Sequence, residues 1–382
     1  MTAASSSVQA TKTKIGPKHI ASFRIRRHHL RNELRGDAVT VSGDVCGLQA
    51  QIMSAAFLQA WTRNHSITRT EIEDALWKKR VLVKTSLMRQ TLHLIPADQF
   101  DFYIAALRSS RVAAVLGVMS RFGIDREEGE ALTPLIMEIL SPGPRSRGAI
   151  GTAVRPKVSK RVRAWMDRVW SIVRIPVAEG LICYAGGEGN EATFVRVDQW
   201  MRGKRRTISE EQARARLLRC YLRAYGPATL KDFAHWSGMP AGQVRPLPFL
   251  LAKELEEITV QKKVRLLLRD DVGALAASIA ETNSVRLLPH FDPYLLAHRE
   301  KDHLVAPRHY KRVYRNQGWI SPVVLVDGTV AGIWGYTIQG KKLMVTAEAF
   351  DKFSTAVRSK ITEEAENLAG FLATALGACR VT

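Results

Sequence analysis

Four cysteines in 382 residues, Cys46, Cys183, Cys220 and Cys379, stand far apart with no CxxC pair. That excludes a zinc ribbon and a disulfide framework and suits a reducing cytoplasm. The chain also lacks a long apolar span. Its longest uncharged run, Val45 to Thr62, carries Gln49, Gln51 and Gln59, so no membrane helix is expected, and the opening MTAASSSVQATKTK has no apolar segment to serve as a secretory signal. No P-loop, GxGxxG or nucleophile elbow occurs, and His298 and His303 are five apart rather than the four of an HExxH zinc site. Neither metal nor cofactor is expected. Negative charge is short as well: Asp and Glu number 36 against 57 Lys and Arg, a net charge of +21. A polyanion is therefore the first partner to consider, and nucleic acid fits best.

What is present is a repeating plan. From Arg24 to Pro96 the pattern gives three helices and a hairpin: the basic RIRRHHLRNEL, an apolar helix from Leu48 to Trp61, and TRTEIEDALWKK, which opens on a Thr with Glu three residues on, as in a capping box. RVLVKTSLMRQTLHLIP then alternates like two short strands ended by Pro96. This is the winged-helix plan, a helix-turn-helix variant whose second or third helix can enter a DNA groove. It recurs over Glu127 to Val197, with an apolar helix from Leu132 to Leu140, a Gly- and Arg-rich turn SPGPRSRGAIG, a basic helix from Ser159 to Val173, and strands around GLICYAG and ATFVRV joined by a GEGN turn. A third copy opens at TISEEQARARLLRCYLRAYG, capped by Ser209 and ended by Gly226 and Pro227, and runs through ATLKDFAHWSG and a helix from Phe249 to Leu255 to strands at EITVQ and KVRLLLRD.

After Asp271 the texture changes. SPVVLVDGTVAGIWGYTIQGKKLMVT supplies three short strands, with Asp327-Gly328 and Gln339-Gly340 at the turns, and a charged helix from Thr355 to Leu376 follows. The expected fold is mainly α with small β wings, an α+β protein. Its parts are a flexible basic tail over 1–23, three tandem winged-helix units over 24–125, 126–207 and 208–271, and a β-rich C-terminal region over 272–382.

Cations cluster where such units would meet a phosphate backbone. Arg24, Arg26, Arg27, Arg31 and Arg35 precede the glutamines; Arg155, Lys157, Lys160, Arg161 and Arg163 open the second unit's basic helix; Arg202, Lys204, Arg205 and Arg206 form a linker cluster; Arg308, Lys311, Arg312 and Arg315 form a fourth. Arg89, in the first hairpin, is expected on phosphate too. Such contacts set register and affinity without reading sequence, and they predict strongly salt-dependent binding. A solvated face is the other reading of any one cluster.

Gln49 and Gln51 raise a geometric question, since within a helix they would lie about 200° apart and could not share a target. They act together only from the loop ahead of the helix, and Gly47 permits the turn this needs. Otherwise one is a capping or surface amide and the other packs at a helix interface. GLQAQ…SAA…AWTR, LVKTSLMRQTLHLIPADQF, LLRCYLRAYGPATLKDFAHWSG, LPHFDPYLLAHR and VLVDGTVAGIWGY resemble, in this order, the tandem winged-helix DNA glycosylases of the AlkZ-like family, which remove alkylated purines and unhook interstrand crosslinks. The resemblance runs from about Arg24 to Leu372. It implies that Gln49 and Gln51 are the catalytic Gln-x-Gln signature, whose second position is Asp in a sister branch. It also implies that the hairpin around VDGTVAGIW probes the lesion from the minor groove, an ordinary strand pair being the other reading. HFDP offers His290 and Asp292 as candidates near the site to orient water or phosphate, although as isolated residues they are more often structural hydrogen-bonders. His93 stands in the TLHL that the family retains and is a further candidate for site support; by position alone it is a half-buried wing histidine.

The chemistry suits amides. A purine alkylated at N7 carries positive charge and leaves readily, so what remains is to hold a water beneath the anomeric carbon and stabilise an oxocarbenium-like sugar. An amide is no strong base at neutral pH. No catalytic lysine stands out, so the expectation is a monofunctional hydrolase that leaves an abasic site. A base tied to the opposite strand cannot flip freely into a tight pocket, which implies an open concave site. The rival from another class is a non-catalytic winged-helix regulator, although tandem units in one chain argue against a dimeric palindrome reader. The expected partner is double-stranded DNA with alkylated or crosslinked purines, met by a monomeric cytoplasmic enzyme at the bacterial nucleoid, away from any membrane.

Overall fold

The computed structural model describes residues 15–31, 36–169, 172–186, 191–203, 205–279, 282 and 284–382. Arg35, Lys204, the GEGN turn and the first fourteen residues of the expected tail lie outside these. The fold is α+β, as expected. A helix, Pro17–Arg27, occupies much of the rest of the segment assigned to the tail; it buries Ile20 and Phe23 against Val260 and Leu267 of the third unit and Leu275 just beyond it.

The first hairpin is where alternation put it, with strands β2 (Leu82–Ser86) and β3 (Leu92–Pro96). A two-residue strand, β1 (Leu48–Gln49), adds to the other edge of β3. The second unit contributes β4 (Arg145–Ser146), β5 (Ile182–Ala185) and β6 (Thr193–Arg196). The wings do not project separately. They join in one six-stranded sheet of order β1-β3-β2-β5-β6-β4, stitched where Lys84 pairs with Tyr184. The stretch SPGPRSRGAIG is not a turn throughout: Ser146 accepts from the Ala149 amide and caps a helix, Arg147–Val154, that buries Ile150 and Val154. A helix for which no signal had been noted, Phe100–Ser120, carries Phe102, Tyr103 and Leu107 into the main core, where residues of the helix Glu210–Tyr225 also pack.

The third wing pairs β7 (Leu255–Val260) with β8 (Lys263–Leu268); the helix before it covers only Leu247–Leu250, because the chain is already extended by Leu255. The closing sheet runs β13-β12-β11-β10-β9, from β9 (Val285–Leu288), β10 (Val323–Val326), β11 (Thr329–Gln339) and β12 (Lys342–Ala349) to β13 (Ala375–Val381). Asp327 (φ 49°) and Gly328 (φ 81°) make the tight turn that Asp-Gly predicts. The last helix stops at Phe371, short of the expected Leu376, and the residues beyond it form β13, parallel to β12. Leu58 and Trp61, from the helix that follows the glutamines, pack against Leu287, Val324 and Trp334 of this sheet. The glutamine segment is thereby fixed between two sheets.

Candidate active site

The helix expected from Leu48 begins only at Met53. Leu48 and Gln49 lie instead in β1, opposite Leu94 and His93 of β3, and the Ala50 amide extends the ladder by donating to the Leu92 carbonyl at 2.7 Å. Gln51 follows in a bend between β1 and the helix, so neither amide stands inside a helix and the helical separation does not arise. Gly47 makes the entry with φ +96°, and a Cβ there would meet Ile95 Cγ2 at 3.0 Å. From the third unit, the Tyr225 hydroxyl donates to the Val45 carbonyl at 2.6 Å and holds this turn in place.

The two amides differ in surroundings. Gln49 is buried, and its Oε1 has no hydrogen-bond partner among the described residues. Gln51 is exposed; its Oε1 accepts from the Leu92 amide at 3.3 Å. It lines a cleft of about 270 Å³ together with Ser86, Gln90, Arg111, Arg174 and Tyr184. A second cleft, of about 330 Å³, starts at Ile52 and Ser54 and is lined by His290, Arg315, Trp319, Trp334 and Tyr336. Among the described residues no Asp or Glu lines either one.

Gln59 links the segment to the C-terminal domain. Its Nε2 donates to the Gln49 carbonyl and to the His290 carbonyl, both at 3.1 Å. In the sequence it is only a polar break in an apolar run; an amide at zero exposure inside a helix that buries nine of its residues is the signal that marks it.

His290 and Asp292, neighbours in HFDP, have different places. His290 donates from Nδ1 to the Ile320 carbonyl at 2.8 Å, stands edge-on to Trp319 at 5.1 Å, and lines the second cleft. Asp292 has no solvent exposure. Its oxygens accept from Arg63 Nη2 at 2.8 Å and Nη1 at 2.9 Å, and Oδ1 also caps the Tyr294 amide at 2.9 Å. Asp292 therefore pins the end of the helix Met53–Arg63 to the C-terminal domain; with its oxygens committed, it does not reach the cleft to orient water.

His93 pairs across the ladder with Gln49 and is buried rather than half-buried. Its Nδ1 donates to the Thr91 carbonyl at 2.9 Å. Burial first, then Arg89 and Arg111, push its pKa down to about 3, so the ring is neutral at physiological pH and Nε2 can only accept. On its other side in the sheet is Thr85, whose buried hydroxyl has no partner among the described residues.

The expected phosphate contacts divide in the same way. Arg24 is buried and donates to the carbonyls of Gly226 at 3.4 Å and Pro227 at 2.8 Å, and Arg89 donates to the Trp236 carbonyl. Both tie the N-terminal region to the third unit and are unavailable to DNA. Arg27 pairs with Asp271, and Arg205 with Asp101. Arg26, Lys160 and Arg161 are exposed; Arg163 is half-buried. In the remaining clusters Arg155 meets Asp167, Lys157 meets Glu138, Arg308 meets Asp351 and Arg312 meets Glu348, all largely in solvent.

Comparison with known proteins completes the picture. The family model described as DNA glycosylase AlkZ-like matches residues 43–371. An interstrand DNA cross-link repair glycosylase of Streptomyces sahachiroi is 30% identical over 338 residues, covering 86% of this chain and 90% of that relative. The solved structure of the S. sahachiroi DNA glycosylase AlkZ matches with a TM-score of 0.83 at 26% identity, over 96% of this chain and 99% of that one. An edge-strand glutamine and a second one exposed in the cleft two residues on thus occur in a chain that belongs to the AlkZ-like family of DNA glycosylases.

Proposed function

We propose that Gln49 and Gln51 carry the hydrolysis, and that the substrates are purines alkylated at N7 or N3 in double-stranded DNA, including purines tied across the strands. The observation that carries this reading is the buried, unpartnered Oε1 of Gln49 beside an exposed Gln51. A buried acceptor with no donor is costly unless a ligand or water supplies one. A water held there meets amide dipoles and no carboxylate, which serves a cationic leaving group and would not cut an uncharged base. His93, neutral and adjacent, supports the Gln49 strand without supplying a proton. The product is an abasic site, with no lyase step. Unhooking of crosslinks is in keeping with the name of the Streptomyces relative, an interstrand DNA cross-link repair glycosylase, and with the open cleft that Gln51 lines.

The test is single-turnover release of N7-methylguanine and unhooking of a nitrogen-mustard crosslink by wild type, Gln49→Ala, Gln51→Ala and the double variant. Loss of both reactions in folded variants is expected. Excision by the double variant at the native rate would overturn the reading.

A further inference from the structure

Several arginines that the fold holds in place have a carboxylate: Arg63 has Asp292, Arg196 has Asp198 and Arg219 has Glu254. Among the described residues Arg111 has none. It projects from the helix Phe100–Ser120, is 5% exposed, reaches the Ala178 carbonyl from Nη1 at 3.5 Å, and has an Nε without a partner among the described residues. Burial lowers its pKa to about 10, which leaves it charged at neutral pH. A buried cation without a counter-ion is among the least favourable groups a fold can hold.

Arg111 lines the cleft that contains Gln51, and so do Arg147 and Arg174. All three act electrostatically on the hydroxyl of Tyr184, another lining residue, and Lys84 Nζ stands 5.3 Å from the centre of the same ring. Arg174 is exposed and has no ion pair among the described residues. Among the described residues no Asp or Glu lines this cleft, whereas the groove around Arg108 and Arg126 carries Glu130, Glu179 and Glu210 and neutralises itself.

From this geometry we infer that the cleft between the two joined wings seats one phosphodiester of the damaged strand, with Arg111 as its buried contact, next to the sugar presented to Gln51. A guanidinium offers parallel N–H groups to two non-bridging oxygens, and a phosphate supplies the counter-charge that Arg111 lacks among the described residues. The consequence is mechanical. Gripping the backbone beside the lesion fixes the sugar without a base pocket, which a purine tied to the opposite strand requires. The anion site stands on the arginines alone; only its place in the reaction rests on the glutamine reading.

Methylphosphonate scanning tests it. Duplexes with one N7-methylguanine and one neutral methylphosphonate, moved stepwise through the linkages flanking the lesion, are processed by wild type, Arg111→Gln and Arg174→Gln under single-turnover conditions. At one linkage the neutral group should slow wild type by about ten-fold or more and slow Arg111→Gln by less than about two-fold, because the partner that sensed the charge is gone. Equal slowing of wild type and variant at every linkage overturns the inference. Should the buried variant fail to fold, Arg174→Gln decides: loss of sensitivity at the same linkage supports the site, and retained sensitivity overturns it. Inorganic phosphate is the second arm. If it inhibits wild type while the scan is flat, the cleft takes a free anion and the DNA assignment is wrong. If wild type releases no base at all, the glutamine reading has failed instead, and the scan is then made on duplex affinity, with the same two outcomes.

Discussion

Replacing Asp292 by Ala removes both oxygens that hold Arg63, at 2.8 and 2.9 Å, and the acceptor for the Tyr294 amide. Neither side chain of the pair has solvent exposure, so water cannot replace the lost partner. Breaking a buried ion pair from one side costs about 3 to 5 kcal/mol. With an unfolding entropy of roughly 2.1 cal/mol/K per residue over the 382 residues, or about 0.8 kcal/mol/K, the melting temperature should fall by about 4 to 6 °C. Thermal denaturation measures that fall, and single-turnover release of N7-methylguanine at 25 °C, where the variant is still folded, measures chemistry. The expected result is the drop in Tm with a release rate within about three-fold of wild type, since the carboxylate serves the helix and not the water. Pairing Arg63→Met with Asp292→Leu should recover part of the stability, because the cation is then gone as well. A release rate reduced about a hundred-fold at an unchanged Tm would refute the reasoning and give Asp292 the chemical role that its place in HFDP suggests.

Removing either glutamine amide should lower the release rate by about 10² to 10³, as loss of one positioned dipole does in other hydrolases, with KM for duplex little changed; an equal rise in KM would mean that the amides bind rather than catalyse. His93 makes stability depend on acid. The unfolded chain takes up its proton near pH 6.5 and the folded chain refuses it until about pH 3, so this contribution is complete above 6.5 and declines by about 1.4 kcal/mol per unit as pH falls between the two values. Urea midpoints across that window should therefore fall less steeply for His93→Gln than for wild type; parallel curves would remove His93 from the account. Lys160→Gln and Arg161→Gln, at exposed positions of the second unit, should each flatten the slope of log affinity against log salt by about one while leaving lesion preference intact. An unchanged slope would place that helix off the DNA.

Local rules recovered local features. The hairpin from Leu82 to Pro96, the Asp327-Gly328 turn, and the Ser209 cap that accepts from the Gln212 amide each depend on a handful of neighbouring residues. The same rules misread Arg147–Val154, because Gly, Pro and Arg in SPGPRSRGAIG look like a turn until Ile150 and Val154 find a core to enter. They carried the last helix past Phe371, where Ala375–Val381 reads as more of the same and becomes a strand only because β12 has an edge to fill. The quoted motifs pointed to the family and to the glutamine pair. They gave no warning of Gln59, whose two acceptors lie ten and 231 residues away.

The chain by itself determined its hairpins, its turns, its positive charge and the two neighbouring amides, because periodicity, capping and turn chemistry operate within a few residues. Tertiary structure alone decided which cations the fold uses for itself. Arg24 and Arg89 look like phosphate contacts on paper, yet each is spent on backbone carbonyls of the third unit, while Arg111, inconspicuous in an apolar helix, has one long carbonyl contact, an Nε without a partner among the described residues, and a place in the cleft that Gln51 lines. Charge is a property of the residue. Its compensation depends on atoms brought close only by folding, and that compensation separates an arginine that braces the fold from one that awaits a ligand.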